Sequence, residues 1–593
     1  MNLKNILSKT DFKVALDCPT KLYYRKHNYQ SINDENSYLE YLAEGGYAVA
    51  KMASLYYPNG IRIDNYSGVE KAIEQTKSYM NQENCILFEA AFLSGKKLAV
   101  IDILVKEGNS VQLIEVKSKG HDNTKKISKI WEDEIIDVAF QKLVFCAAYP
   151  EIEASAFIMA PDKNKTTSIE GLNAQFKLKG YEQKNGFNFF DIDYSGDSST
   201  IIKDNLLTLV PIDNEIHKEI ESVQSSADLF EQSVFPEIKK IKTALNKNCF
   251  KCEYKDSGKK ECWKNKTIVQ PAIDDLFYIG VLGGPKGPIA NHLIESNKLS
   301  LYDIPLEKIK GKRGIRQLVQ IKHTKSNSEW ISDDLRSEIN SWEYPLHFID
   351  FETAISALPF HKNMHPYEMS AFQWSCHAIP HPGAEPIHNE WINLEPQFPS
   401  FKFAEALMDC IGDTGTPLMW SSHENTTLRN IYHQAKRYNY SNPDLMNWLE
   451  RLVKMGKSNK GRFVDMDKLC KEGYFHPSMK GRTSIKVTLP AVLKANRSKR
   501  TESWLQNFSS TINLLSKDEE DNIVDPYKNL PPLEFLEHAE YVNEGTGAMR
   551  AYEDMIFGKA QGIPAYEKAY KEALLNYCKL DTLAMVIIWE HWK

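Results

Sequence analysis

Residues 346–353 read LHFIDFET, an apolar stretch interrupted by two acids. Apolar runs of this length are typical of buried β-strands. Side chains two positions apart on a strand point to the same face, so Asp350 and Glu352 are expected to lie side by side. Two buried carboxylates repel each other, and both ionise readily mainly when a divalent cation lies between them. The stretch therefore predicts a buried strand of an α/β domain that carries a metal site.

Two further motifs lie downstream of this strand. The segment NYCKLDTLAMV (576–586) places Tyr577 and Asp581 four residues apart, on one side of a terminal amphipathic helix. Between the two motifs, MWSSHENTTLRNI (419–431) offers Glu424, four residues before an apolar position. Asp465, in RFVDMDKL, is the alternative to Glu424 as the middle acid of this set.

This order of motifs resembles the DnaQ-like exonucleases, although glutamate stands where their middle motif usually has aspartate. The resemblance implies an RNase H-like domain with 3′→5′ exonuclease activity, of the tyrosine (DEDDy) subtype. It also implies the roles of the matching residues. Four acids would hold two Mg²⁺ or Mn²⁺ ions, and Tyr577 would orient the attacking water. The four acids are Asp350, Glu352, Glu424 and Asp581.

A second acid pair lies in the first half of the chain. Residues 98–105 (LAVIDILV) and 111–117 (VQLIEVK) predict two strands of a hairpin, and each carries one acid in apolar surroundings. Burying an unpaired carboxylate costs several kcal/mol. Asp102 and Glu115 could therefore share one cation, with Lys117 on the same strand face as Glu115. A structural salt bridge would give the same pattern.

The flanking residues resemble RecB-type PD-(D/E)xK nucleases. Glu89, in LFEAAF, and Gln141, in DVAFQKLVF, match motifs on either side of the hairpin in that family. The resemblance implies that Glu89, Asp102 and Glu115 bind Mg²⁺ or Mn²⁺ and that Lys117 and Gln141 are catalytic. Many relatives carry a histidine metal ligand on an earlier helix, whereas the matching segment here, EGGYAVAKMA, has none.

Four cysteines bracket this region. Cys249, Cys252 and Cys262 form a C-x2-C-x9-C pattern, and Cys18 lies far upstream. From the residues alone, four thiolates predict tetrahedral zinc. The opening LSKTDFKVALDCPTKLYY resembles CRISPR-associated RecB-like nucleases, in which one early and three late cysteines bind a [4Fe–4S] cluster. The resemblance thus implies an iron–sulfur clasp that closes the first domain.

The 593 residues are too many for one core. We expect an α/β chain with a PD-(D/E)xK restriction-endonuclease-like domain at 1–265, a helical connector at 266–340 and the RNase H-like domain at 341–593. Nearly the whole chain resembles an uncharacterised bacterial family that fuses a RecB-like half to a DnaQ-like half. The leading hypothesis is a metal-dependent DNA nuclease in genome defence or DNA repair. The alternatives are a non-catalytic nucleic-acid-binding scaffold and an RNA 3′→5′ exonuclease.

Composition bears on location and partners. No apolar stretch reaches the roughly 20 residues of a membrane helix, and the N-terminus lacks a secretory pattern, which predicts a cytoplasmic protein without membrane contact. The net charge of −6 does not indicate nucleic-acid binding, although lysines cluster at 239–266 and 308–325. The chain has no phosphate-binding motor motif. We expect DNA as the substrate, with single-stranded DNA and RNA as the alternatives, and a helicase or a defence protein as a partner.

Overall fold

The structure is a computed structural model of the chain. It describes residues 3–34, 37–184, 187–263, 269–457, 459–495, 498–519, 522–532, 542, 545–558 and 560–593. The expected boundary between the first domain and the connector, at residues 265 and 266, lies outside these residues.

Residue contacts divide the chain into two compact units, and neither unit is continuous in sequence. Unit 1 comprises Met1–Ala244, Lys251–Lys264 and Ser356–Glu368. Unit 2 comprises Leu245–Phe250, Asn265–Ile355 and Met369–Lys593. The segment 266–340, expected as a connector, thus belongs to unit 2.

Unit 1 is a mixed α/β unit. Its strands are β1 (Leu7–Ser8), β2 (Ile61–Arg62), β3 (Asn84–Ser94), β4 (Lys97–Glu107), β5 (Ser110–Val116), β6 (Glu153–Pro161), β7 (Phe176–Lys184), β8 (Phe187–Tyr194) and β9 (Leu207–Pro211). Its helices are α1 (Lys9–Asp17), α2 (Pro19–Lys26), α3 (Ser37–Leu55), α4 (Val69–Met80), α5 (Ile127–Ile130), α6 (Glu132–Ala148), α7 (Ser198–Asp204), α8 (Asp213–Val234) and α9 (Lys259–Cys262).

The main sheet of unit 1 has seven strands. Six follow the order β2-β3-β4-β5-β6-β9, and β1 pairs in parallel with β4. β3, β4 and β5 are antiparallel neighbours, which confirms the predicted hairpin, whereas β5 and β6 run parallel. Neighbouring residues on β4 face opposite cores: Leu104 packs in the cluster that includes Phe140 of α6, and Ile103 packs in the cluster that includes Val49 of α3. The sheet is therefore buried on both faces, as its nearly continuous apolar strands require.

Unit 2 is also a mixed α/β unit. Its strands are β10 (Trp330–Ile331), β11 (Leu346–Ile355), β12 (Met369–Ile379), β13 (Ile387–Ile392), β14 (Thr416–Met419), β15 (Val464–Asp465) and β16 (Tyr474–Phe475). Its helices are α10 (Pro288–Glu295), α11 (Gly311–Ser326), α12 (Asp333–Asn340), α13 (Ser400–Ile411), α14 (His423–Arg437), α15 (Pro443–Leu452), α16 (Met466–Gly473), α17 (Ile485–Ala495), α18 (Lys499–Gln506), α19 (Gly545–Ile556) and α20 (Pro564–Trp592).

The five-stranded sheet of unit 2 has the order β13-β12-β11-β14-β15. β12 runs antiparallel to both of its neighbours, whereas β11, β14 and β15 are parallel. On β11, Ile349 and Phe351 face one core, formed with α13, α14 and α15. The alternate residue Phe348 points to the other face, where its ring lies 5.7 Å from that of Trp589 on α20. Asp350 and Glu352 share the face of Phe348, because side chains on a strand alternate.

The mixed α/β fold class is confirmed, and so are the predicted strand around Asp350 and the terminal helix. The expected connector contains helices α10 to α12 and also the short strand β10, which pairs antiparallel with β16. In the described part of the chain, no helix is long and apolar enough to cross a membrane.

Candidate metal centres

The acids of unit 2 converge under α20. Asp350 and Glu352 of β11 and Cys578 of α20 bring their ligand atoms within 4.8 Å of one another. Among the described residues, they are the one set of three His, Cys, Asp or Glu side chains this close. The Cys578 thiol lies 3.3 Å from Asp350 Oδ2 and donates to it. Burial raises the pKa of Cys578 well above its ordinary value, so this residue is a neutral donor beside the carboxylates.

Glu424 contributes a third acid from the first turn of α14. Its side chain is only 1% exposed, and its Oε2 atom has no hydrogen-bond partner among the residues that the structure describes. Burial, and next the charge of Asp350, raise the pKa of Glu424 well above its ordinary value. An acid that is buried, lacks a partner at one oxygen and lies near another acid is costly without a cation. The group therefore fits a divalent metal ion.

Asp581 completes the set one helical turn after Tyr577. Asp581 Oδ1 accepts a short hydrogen bond from the hydroxyl of Tyr527, which lies on a 3-10 turn at Pro526–Asn529. Burial raises the pKa of Asp581 to about 6, although hydrogen bonds from Tyr527 and Tyr577 act to lower it. Two tyrosines thus hold the Asp581 carboxylate, which can still bind a cation.

Burial is the largest cause of the raised carboxyl pKa values at the first two acids. The pKa of Asp350 lies well above its ordinary value, with the charge of Asp581 as the next cause. The pKa of Glu352 is raised in the same way, with the charge of Asp350 next. Without a cation, Asp350, Glu352 and Glu424 therefore favour their neutral form, and a bound divalent ion would reverse this preference.

Lys486 places its ammonium group against Tyr577. It lies at the start of α17, and its Nζ donates to the Tyr577 hydroxyl over 3.1 Å. The ammonium group also lies over the rings of Tyr577 and Tyr527, 4.9 Å and 5.2 Å from their centroids. Tyr577 is therefore fixed between a cation and the carboxylate of Asp581.

Asp465, the alternative middle acid, has a structural use. Its Oδ1 accepts from the backbone N–H of Lys468 and so caps the N-terminus of α16. The same oxygen accepts from the backbone N–H of Ser421 at 3.1 Å. It lies near enough to Glu424 to influence the charge of that acid. Glu424 is the better candidate ligand, because one of its oxygens is buried without a partner.

In unit 1, Asp102 and Glu115 lie where the β4–β5 ladder ends. The last paired residues are Ile103 and Ile114, and beyond them Asp102 Oδ2 accepts from the backbone N–H of Val116 at 2.7 Å. Burial, and next the charge of Glu115, raise the pKa of Asp102 to about 7. Asp102 therefore lacks sufficient positive charge around it when no metal is bound.

Glu115 has the opposite environment. Its Oε1 accepts from Lys117 Nζ at 2.7 Å and from Lys9 Nζ at 2.6 Å, and its Oε2 accepts from Gln141 Nε2 at 2.5 Å. Burial acts against the charged form, but Lys117 and Lys9 hold the pKa of Glu115 below its ordinary value. Both lysines therefore bind the carboxylate that the resemblance to PD-(D/E)xK nucleases predicts as a metal ligand.

A second buried acid anchors Lys117. Asp137 of α6 is 1% exposed, and its Oδ2 lies 3.4 Å from Lys117 Nζ and 2.9 Å from Lys13 Nζ. In the described part of the chain, the other oxygen, Oδ1, has no hydrogen-bond partner. Burial lowers the pKa of Lys117, but Glu115 and Asp137 overcome this and hold it above its ordinary value. Lys117 is thus a charged donor, not a base, in this arrangement.

Glu89 lies near Asp102 and Glu115 and has an unusual backbone conformation. It has φ +58° inside β3 and is left out of the ladder between the pairs Phe88–Ile103 and Ala90–Ile101. A left-handed glutamate in a strand stores strain and often marks a functional position. Burial raises the pKa of Glu89, against the nearby charge of Arg62. Glu89 and Asp102 both line a cleft of about 1530 Å³.

The cysteines are all free of disulfide bonds. Cys18, Cys252 and Cys262 lie in unit 1, and Cys249 lies in the 245–250 segment of unit 2. Cys18 forms the corner between α1 and α2, where its side chain takes no part in capping α2. Burial raises the pKa of the Cys252 thiol, and nearby Cys18 acts in the same direction. Cys262 Sγ lies 2.9 Å from the Tyr24 hydroxyl.

Several residues of both centres were not predicted from the sequence. Lys486, Tyr527 and Cys578 surround the acids of unit 2, and Lys9 and Lys13 bind the acids of unit 1. Cys578 lies next to Tyr577 in the chain, so its position offered a signal. The others come from distant segments, and nothing in their local sequence identifies them.

Comparison with protein families matches residues 347–484 to a domain of unknown function (DUF2779). The matched segment contains Asp350, Glu352 and Glu424 and ends before Tyr577 and Asp581. Searches of curated proteins and of solved structures give no significant match. The family match therefore covers most of the sheet of unit 2 but assigns no reaction to it.

Proposed function

We propose that the protein is a metal-dependent nuclease with two separate phosphodiester-cleaving centres, and that unit 2 is a 3′→5′ exonuclease. The observation that carries the proposal is the buried acid set of unit 2, with its raised pKa values and the partnerless Oε2 of Glu424. The strand order β13-β12-β11-β14-β15, with β12 antiparallel, supports an RNase H-like fold.

The residues of unit 2 suit hydrolysis of a phosphodiester. Asp350, Glu352, Glu424 and Asp581 would hold Mg²⁺ or Mn²⁺, which activates water and stabilises the leaving oxygen when bound. Tyr577 can orient the attacking water, because Lys486 fixes its hydroxyl. The neutral Cys578 thiol holds Asp350 in place. Hard divalent ions prefer oxygen to sulfur, so the thiol is not assigned as a ligand.

For unit 1 we propose a PD-(D/E)xK centre. Asp102, Glu115 and Glu89 would hold the metal ion, and Gln141 orients Glu115 through its hydrogen bond. Lys117, held charged by Glu115 and Asp137, can stabilise negative charge that develops on a phosphate. The lysines on Glu115 and the missing histidine favour the alternative that this centre is an inactive nucleic-acid-binding scaffold.

For the cysteines we propose an iron–sulfur clasp. Thiolates on tetrahedral zinc lie about 3.8 Å apart, because Zn–S bonds of about 2.3 Å meet at the tetrahedral angle. Within the described residues, the sulfurs of Cys18, Cys252 and Cys262 do not all lie within 4.8 Å of one another. The proposal of a [4Fe–4S] cluster, in which each thiolate binds a different iron, therefore rests on the cysteine pattern and the resemblance to CRISPR-associated RecB-like nucleases, with zinc as the alternative.

The deciding experiment is nuclease assay of the full chain on end-labelled single- and double-stranded DNA and RNA with Mg²⁺ or Mn²⁺. Asp350→Ala should slow the shortening of 3′ ends on the order of 10³-fold or more, and Asp102→Ala should leave it intact. In the double variant, Asp102→Ala combined with Asp350→Ala should abolish any cleavage that survives in the Asp350→Ala variant alone. Equal activity in the parent and both variants, or no cleavage of any substrate, would refute the proposal.

A further inference from the structure

Lys9 is half-buried and contacts the acids of unit 1, although it lies outside every motif of that centre. It is the first residue of α1, follows the capping residue Ser8, and is 23% exposed. Its Nζ lies 2.6 Å from Glu115 Oε1, the same oxygen that binds Lys117. Burial acts to lower the pKa of Lys9, but Glu115 and Asp102 together hold it above its ordinary value. Lys9 is therefore a full positive charge placed among the acids.

The three donors on Glu115 differ in what else binds them. Gln141 is buried on α6, and Lys117 has a second acid, Asp137, 3.4 Å away. Within the described residues, Glu115 is the one hydrogen-bond or ion-pair partner recorded for the Lys9 ammonium. Lys9 also lines the large cleft together with Asp102 and Glu89, whereas Glu115 does not. Of the three donors, Lys9 is thus the one that stands between the cleft and Glu115.

We infer that Lys9 is a built-in counter-cation, which holds the metal-binding position at Glu115 until a divalent cation displaces it. The inference rests on the proposed function of unit 1. A metal ion that enters from the cleft meets Asp102 and Glu89 first and can reach Glu115 Oε1 only where Lys9 leaves. The displaced ammonium remains in the cleft, where it can bind a phosphate of the nucleic acid. Lys9 is thus a positioning residue that couples metal entry to substrate binding.

The test measures Mn²⁺ binding to the full chain by calorimetry and by electron paramagnetic resonance of free Mn²⁺. Asp350→Ala and Glu424→Ala form the background, so that unit 2 does not contribute. Lys9→Met should tighten Mn²⁺ binding on the order of tenfold, because it removes a competing charge within contact distance of a ligand. It should also lower the thermal stability of the metal-free protein, and saturating Mn²⁺ should restore that stability.

Two variants serve as matched controls. Lys142→Met makes the same change at an equally exposed lysine of α6, which binds Asp213 outside the acid set, and should leave Mn²⁺ affinity unchanged. Lys9→Arg keeps the charge and should stay near the parent affinity. If parent binding requires Asp102, as tested by Asp102→Asn, and Lys9→Met does not tighten it, the inference about Lys9 is wrong while the metal centre stands. If no variant binds Mn²⁺, both the inference and the proposed metal centre of unit 1 are wrong.

Discussion

At the scale of single residues, Glu424 and Asp465 differ in what their carboxylates do. Glu424 has a buried oxygen without a partner, whereas Asp465 caps α16. We predict that Glu424→Ala abolishes metal-dependent exonuclease activity without destabilising the metal-free protein, because it removes an acid that repels its neighbours. Asp465→Ala should keep most activity and lose about 1 kcal/mol of stability with the cap. Nuclease assays and denaturant unfolding of both variants check this, and the reverse pattern would assign the ligand to Asp465.

Lys486 allows a second test at this scale, because its ammonium group donates a hydrogen bond to the Tyr577 hydroxyl. Tyr577→Phe should cost about 1–3 kcal/mol in activation free energy through the lost hydroxyl. We predict that Lys486→Met slows the reaction by a similar amount, that Lys486→Arg retains more activity, and that Lys486→Met adds little to Tyr577→Phe. A double-mutant cycle on kcat measures this coupling. Fully additive effects would show that Lys486 does not act through Tyr577.

The acids of both centres could be predicted from sequence, whereas their surroundings could not. Asp350 and Glu352 are linked by the two-residue strand period, and Tyr577 and Asp581 by the helical period, so local spacing identifies each pair. Lys9 and Lys486 reach the acids only through the tertiary fold, since each lies more than 90 residues from the acid or tyrosine it binds. No periodicity within their own helices indicates those contacts.

At the scale of secondary-structure elements, the α1–α2 corner and the segment after α8 carry the cysteines. If they bind a cluster, anaerobically purified protein should be brown, with broad absorption near ~400 nm. We predict that Cys252→Ala removes the colour and lowers the melting temperature of unit 1, because the clasp closes a loop of more than 200 residues. Cys146→Ala, a half-buried thiol on α6, is the matched control and should keep the colour. Colourless protein with one equivalent of zinc would contradict iron but keep the clasp.

The strand β3 shows that the sequence predicts a strand but not the backbone conformation of each residue in it. Its apolar pattern indicates a strand, and the structure has one over Asn84–Ser94. The pattern gives no sign that Glu89 adopts φ +58°, because glutamate has no local preference for that conformation. Only the surrounding packing can hold such a residue in place.

At the scale of the whole molecule, the chain does not follow a simple order of consecutive domains. Residues 356–368, directly after β11, group with unit 1, and Leu358 packs in its core. The hydrophobic pattern of a short loop does not indicate which core it joins, so this exchange could not be predicted from sequence. Two unit boundaries therefore fall between the first and second motifs of the second half, directly after β11 and directly before β12.

The stability of the whole chain should depend on pH through the acids of unit 2. The pKa values of Asp350, Glu352 and Glu424 are well above their ordinary values, and that of Asp581 is about 6, whereas unfolded carboxyls titrate near ~4. The folded protein therefore binds more protons than the unfolded chain above pH ~4, and the stability from these groups is lost as pH rises through the folded pKa values.

In the presence of a chelator, we predict that the melting temperature falls more between pH 5 and 8 for the parent than for an Asp350→Asn, Glu424→Gln variant. Other titrating groups, such as Asp102, contribute equally to both proteins and cancel in the comparison. Saturating Mn²⁺ should flatten the curve of the parent, because the cation stabilises the charged acids, and should change that of the variant less. Identical curves for both proteins, with and without Mn²⁺, would mean that these carboxylates neither titrate together nor bind metal.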